Sequence, residues 1–290
     1  MSVDVLIRQK GLLKKPFSAQ PVLGNELCYG SYNSGWRLEE GGKLNLEDFT
    51  CYLPDAIGRG ISVTWSPKRK NEVQLRLLTP TGREEIRAFY RMVERIMQYW
   101  RSELEVDGNS IHLEDWLKGQ EDYIRFNTEA LEKTFCLDAM KSEDGICLFS
   151  ARWPLYMGRN EAQLFLEHSE AFDAWLHERQ NLDAYYAVPG FFRDENGDIS
   201  GRYVLTENCL SIFPRKGIVP FGMMDEATGK PLECERFELA LYSTMEKRII
   251  GTIPYEIFLE RFPKEKSSRY DACYMLLQPL SLNELLALID

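Results

Sequence analysis

Two periods alternate along this chain. Ile61, Val63 and Trp65 alternate with Ser62 and Thr64; after the polar run Ser66-Pro67-Lys68-Arg69-Lys70-Asn71, Val73, Leu75 and Leu77 alternate with Glu72, Gln74 and Arg76. Period two with one apolar side predicts an antiparallel hairpin with one buried face. Past Thr81 the period changes. Ile86, Phe89, Tyr90, Val93, Ile96, Met97, Trp100 and Leu104 recur at intervals of three and four. That spacing predicts an amphipathic helix over about 82–104 with its stripe laid on the sheet. A partner-binding helix is the alternative reading of the same stripe. Thr81, three residues before Glu84, has capping-box spacing.

The same reasoning extends to both ends. Val3, Val5 and Ile7 predict an opening strand. Gly/Asn/Ser clusters at 30–35 and Gly-rich residues 40–43 predict turns, as does Asp107-Gly108-Asn109. Leu113–Lys118 reads as a short helix, and Thr128–Met140 as a helix or a mixed piece. The polar run 141–145, ended by Gly145, is the candidate boundary between an N-terminal half (1–145) and a C-terminal half (146–290). The second half restarts with a strand at 146–150. A helix from about Asn160 to Gln180 follows, with Leu164, Phe165, Phe172, Trp175 and Leu176 on its apolar side. Tyr185–Arg193 and Ser200–Thr206 flank Asp194-Glu195-Asn196-Gly197-Asp198, and Asn-Gly is a strong hairpin cue. Strands are expected at 208–213, 236–243, 246–252 and 271–277, and a helix at Pro254–Phe262. Ser281 and Glu284 form a capping-box pair opening a terminal helix that should bury Leu282, Leu285, Leu286 and Ile289. Strands outnumber helices and most neighbours are hairpin-linked, which predicts an α+β fold with antiparallel sheets.

The run from Cys51 to Trp100 carries a family resemblance. Its residues are the Ile57-Gly58-Arg59-Gly60-Ile61 strand entry, the Leu77–Pro80 strand exit and the helix start Glu84-Glu85-Ile86-Arg87-Ala88-Phe89-Tyr90. This run, with the opening strand Met1–Ile7, resembles a bacterial family of about this length known as a domain of unknown function. The resemblance implies a bacterial, cytoplasmic α+β protein and brings no functional residues with it.

Charge and cysteine usage narrow the options. The formal charge is −10, and residues 103–145 hold twelve carboxylates against four basic residues, a local charge of −8. Such a field repels phosphate backbones, so no nucleic-acid partner is expected, while a basic protein partner would be attracted. A solubilising acidic face is the plainer reading. Seven cysteines at wide spacings, with no CxxC, argue for reduced thiols in a cytosol. No window approaches 18 apolar residues, so no membrane span is expected. The alternating N-terminus reads as a strand and not a signal peptide.

Catalytic signatures are not found in this sequence. Asp194, Asn196 and Asp198 have the first spacings of a calcium loop, but Ile199 occupies the position that needs glycine and Leu205 the closing carboxylate's position. His168 and His177, nine residues apart on one expected helix, would face opposite ways; His112 lies far off. No metal or cofactor is therefore expected. Gly58-Arg59-Gly60 precedes a strand and lacks the remaining elements of a phosphate loop. Its amides and guanidinium could still meet an anion, which makes Gly58, Arg59 and Gly60 the candidate ligand contacts; a strand-entry turn is the structural alternative. Two function classes stay open: a non-catalytic binding protein, and a hydrolase-like enzyme whose site is assembled from distant residues.

Overall fold

The computed structural model describes residues 1–10, 13–33, 35–41, 47–65 and 71–289. Residues 66–70 of the connection read at 66–71 lie outside the described residues, as do Ser34, Gly42 and Lys43 of the two glycine-rich turns. The chain forms two compact units, Met1–Leu182 and Asp183–Asp290.

The first unit contains, in chain order, β1 (Ser2–Gln9), α1 (Ala19–Leu23), β2 (Cys28–Tyr32), β3 (Leu38–Glu40), β4 (Asp48–Tyr52), β5 (Ile61–Trp65), β6 (Glu72–Leu78), α2 (Arg83–Trp100), β7 (Ser102–Val106) and β8 (Asn109–Ile111). These strands make an eight-stranded sheet in the order β3-β2-β4-β5-β6-β1-β7-β8, antiparallel throughout. The expected β5–β6 hairpin is present, with Val63 opposite Leu75 and Trp65 opposite Val73. Phe89, Val93, Ile96 and Trp100 of α2 pack with Val3, Val5, Ile7, Val63, Val73 and Leu75 in one buried cluster. Period-two strands beneath a period-3.6 helix give each element one dry side, which is why both patterns appear in sequence.

The helix is shorter than its apolar pattern suggests. Arg101 adopts a left-handed conformation, φ 51°, and its amide caps the helix on Met97. Leu104 then belongs to β7, where Leu104 is buried and Glu103 is exposed, the alternation of a strand. Asp107 and Gly108, both at positive φ, turn β7 back into β8. The capping box expected at Thr81 and Glu84 does not form. Gly82 is the N-cap, and the Thr81 hydroxyl donates to Glu85 instead.

The rest of this unit is α3 (Leu113–Lys118), α4 (Gln120–Ala130), a π-helical turn (Leu131–Phe135), α5 (Cys136–Lys141), β9 (Ile146–Leu148), β10 (Leu155–Met157), α6 (Arg159–Glu167) and α7 (Ala171–Gln180). The helix expected over 160–180 is broken after Glu167, leaving His168 in the connection. Leu164, expected on the apolar side, is exposed, while Phe165, Phe172, Trp175 and Leu176 are buried. Residues 146–182 belong with the first unit, so the division falls at 182/183 and not at the polar run 141–145. They are tied there by long-range bonds: Leu38 N–H to Arg152 O at 2.8 Å, and Ala151 N–H to Gly58 O at 3.2 Å.

The second unit holds β11 (Tyr185–Tyr186), β12 (Gly190–Arg193), β13 (Ile199–Thr206), β14 (Ser211–Pro214), β15 (Arg236–Ser243), β16 (Arg248–Pro254), α8 (Tyr255–Arg261), β17 (Ser267–Arg269), β18 (Tyr274–Leu277) and α9 (Leu282–Leu286). They form two four-stranded sheets, β11-β14-β18-β17 and β12-β13-β15-β16. The β12–β13 hairpin forms around Asp194, whose carboxylate accepts the amides of Asn196 and Asp198. β13 and β15 pair in parallel, because the chain leaves for the other sheet through β14 before returning. Tyr203, Phe213, Leu239, Leu241, Tyr255 and Phe258 fill the core. α9 has its Ser281–Glu284 capping box, but of its own residues it buries Leu285, with Leu288 buried just beyond it, while Leu286 is 40% exposed. The α+β fold with mainly antiparallel sheets therefore stands.

Replacing Ile96 by Ala should cost about 2 to 4 kcal/mol in urea unfolding, whereas exposed Gln98→Ala should stay within about 0.5. Equal, small effects would place the stripe outside the core. A second expectation is pH-dependent. Buried Glu207 would be pushed up by desolvation, but bonds from the Thr244 hydroxyl and the Thr244 and Met245 amides hold it down at about 2. The unfolded carboxyl titrates near about 4.3. Its contribution is therefore present above that range and lost as pH falls toward 2. Stability measured from pH 6 to 2.5 should fall less steeply in Glu207→Gln than in wild type.

Candidate functional site

The Gly58-Arg59-Gly60 turn enters β5 beneath the first turn of α2. Its amides do meet an anion, and the anion is internal. Arg59 N–H and Gly60 N–H donate to the two oxygens of Glu85 at 2.8 and 2.9 Å. Glu85 has no exposed surface and Arg59 is 6% exposed. The Thr81 hydroxyl donates to the same carboxylate and accepts a second bond from Arg59 N–H at 3.0 Å. The Arg59 guanidinium donates from Nε to Phe149 O at 2.7 Å and from Nη1 to Pro80 O at 3.4 Å. Burial pushes the Glu85 carboxyl up; Thr81, the two amides and the Arg59 charge pull the other way. Burial also pulls the guanidinium down to about 10, leaving it charged at neutral pH.

The glycines are steric requirements of this arrangement. A Cβ at Gly58 would lie 2.5 Å from the Glu85 carboxylate, and Gly60 has φ +85° with Thr50 and Ala151 against it. Asn127 closes the network, accepting from Thr81 N–H at 2.8 Å and donating to Thr81 O at 2.9 Å. The three sequence candidates thus come together with Glu85, Thr81, Asn127 and Phe149 in a dry hub. Spacing alone could not show these partners. The one available sign was a carboxylate, Glu85, at a position that falls on the buried side of the helix.

A small cavity of about 200 Å³ lies beside this hub at the N-terminus of α2. Asp55, Ile57, Gly82, Glu84, Asp173 and His177 line it. Asp173 and His177 sit one turn apart on α7. Asp173 accepts the Arg83 amide at 3.1 Å, so α2 is capped by a side chain from another helix. Burial pushes the Asp173 carboxyl up, opposed by that amide and by the Arg83 charge. His177 Nδ1 accepts the Ile57 amide at 3.1 Å. A backbone amide only donates, so this nitrogen carries no proton and the neutral ring holds its proton on Nε2. Among the described residues no group of three or more His, Cys, Asp or Glu side chains is arranged to hold a metal ion.

A roomier concavity, about 650 Å³ and open to solvent, lies between α1 and α2. Gln20, Asn25, Glu26, Arg95, Gln98 and Tyr99 line it. Its charges are internally matched: Glu26 bonds Arg91 at 2.7 Å and Arg95 at 2.6 Å. Arg95 also donates to the carbonyls of Pro21 and Val22 at the end of α1.

Glu85→Ala would leave a buried guanidinium and two amides without their anion. It should cost about 3 to 5 kcal/mol in equilibrium unfolding. A loss below about 1 kcal/mol would show that the hub carries little of the fold's stability.

Among the described residues no helix is long and apolar enough to cross a membrane. No curated protein and no solved structure matches the chain. The model of the family DUF4299, described as a domain of unknown function, matches residues 2–288, and the chain, with its α+β fold and its carboxylate-filled glycine turn, belongs to that family.

Proposed function

We propose that this chain is a non-catalytic binding protein of a bacterial cytosol, acting through an open polar groove and not through a reactive centre. One observation carries the reading: the side chains best suited to chemistry are engaged in holding backbone. Arg59 and Glu85 bind the β5 entry and each other's surroundings. Asp173 caps α2 and His177 holds Ile57. Burial pushes the Cys51 thiol up, and Cys136 up to about 11, away from the thiolate a nucleophile needs. The groove between α1 and α2 has the volume of a ligand site and is lined by polar side chains, among them the amides of Gln20 and Asn25.

A hydrolase-like enzyme is the second reading, favoured by His177 standing among Asp55, Glu84 and Asp173. At about 200 Å³ that cavity falls below the usual ligand-pocket range. A basic protein partner is compatible with the first reading. The four basic residues of segment 103–145 each pair with a nearby carboxylate, which leaves the remaining acids as the net field.

The readings separate in a turnover assay with chromogenic ester, phosphoester and glycoside probes. No turnover above buffer is expected. Hydrolysis by the wild type that His177→Asn abolishes would overturn the binding reading in favour of an enzyme.

A further inference from the structure

We propose that His177 is a proton-operated latch on the loop that leads into the Gly58-Arg59-Gly60 turn. The bond from Ile57 N–H to Nδ1, at 3.1 Å, exists only while that nitrogen keeps its lone pair. Imidazolium carries a proton on both ring nitrogens. Protonation therefore sets a donor against the Ile57 donor and the bond is lost.

The surroundings give the protonated ring somewhere to go. Asp55 faces the cavity from the loop, Glu84 from the first turn of α2, and Asp173 from His177's own helix. Arg83, 4.0 Å from Asp173, and Arg87, which bonds Glu84 and also acts on Asp173, are the opposing positive charges. The cavity beside the ring gives it room to turn from the amide toward a carboxylate. His177 is only partly buried, so protons reach it from solvent.

The held segment is short and sits on a rigid base. Ala56 N–H bonds Leu53 O, Ile57 is buried against Leu38, Tyr52 and Ala151, and Gly58 begins the hub. Unlatching frees the Ile57 amide and loosens residues 53–57 while the Arg59–Glu85 bonds, which contain no group of this titration, persist. The small cavity then opens on its loop side.

The test is amide hydrogen exchange at Ile57 in the full-length chain at pH 7.5 and 5.5, corrected for intrinsic exchange. Wild type should be protected at the higher pH and exchange roughly tenfold faster at the lower, the scale of one lost hydrogen bond. His177→Asn places an amide oxygen near the Nδ1 position and should stay protected at both values. His177→Ala should be unprotected at both. Ring ¹⁵N spectra of wild type should show Nδ1 gaining a proton over the same range, which covers the case of a variant that fails to fold. Unchanged wild-type protection, an equal acid response in His177→Asn, slow exchange in His177→Ala, or an Nδ1 that stays unprotonated at pH 5.5 would each overturn the latch.

Discussion

The first unit is organised around one buried carboxylate. Glu85 lies in the first turn of the helix that covers the eight-stranded sheet, with no exposed surface. A carboxylate taken out of water requires donors on its oxygens. The fold supplies them from consecutive amides of the β5 entry, Arg59 and Gly60, and from the Thr81 hydroxyl. Arg59 provides a neighbouring positive charge and in turn bonds Phe149 O and Pro80 O. This network of bonds thereby joins the entry to a central strand, the start of the covering helix and the segment after β9. Moving any of these would leave a buried group unpaired, a far larger penalty than the modest net gain of an exposed pair.

The same need extends to the start of α2. A helix N-terminus leaves amides without partners, and Gly82 has no side chain to meet them. Asp173 meets one from α7, and His177, a turn later, meets the Ile57 amide just before the hub. These are residue types that elsewhere supply catalysis. Here each holds a backbone donor, the observation on which the proposed binding role rests. It is also why a proton on one ring nitrogen would be felt by the backbone.

The acidic stretch 103–145 is less of a surface than its composition suggests. Its first members lie on a strand of the central sheet, where Glu103 pairs with Lys10 and Glu105 with Arg8. Others pair along their own helices, Glu129 with Lys133 and Asp138 with Lys141. A run of charge in sequence is thus distributed over a sheet and several helices, and a part of it is neutralised locally. What remains influences solubility and long-range attraction more than any single contact.

The sequence by itself determined the α+β class, the β5–β6 and β12–β13 hairpins, the stripe of α2 and the capping box at Ser281. Each is written in neighbours whose spacing follows the period of one backbone conformation. Even there the helix end was misread, because Leu104 continues the apolar stripe while the left-handed Arg101 stops the helix. Thr81 suits a capping box with Glu84 by spacing, yet bonds Glu85, which is buried and must be satisfied. The candidate Gly58, Arg59 and Gly60 were recognisable as an anion-suited turn. Which anion fills it, that Asp173 caps another helix, and that His177 faces the Ile57 amide were decided only by tertiary structure. Those partners lie far apart in the chain, and desolvation, which has no period, selects them.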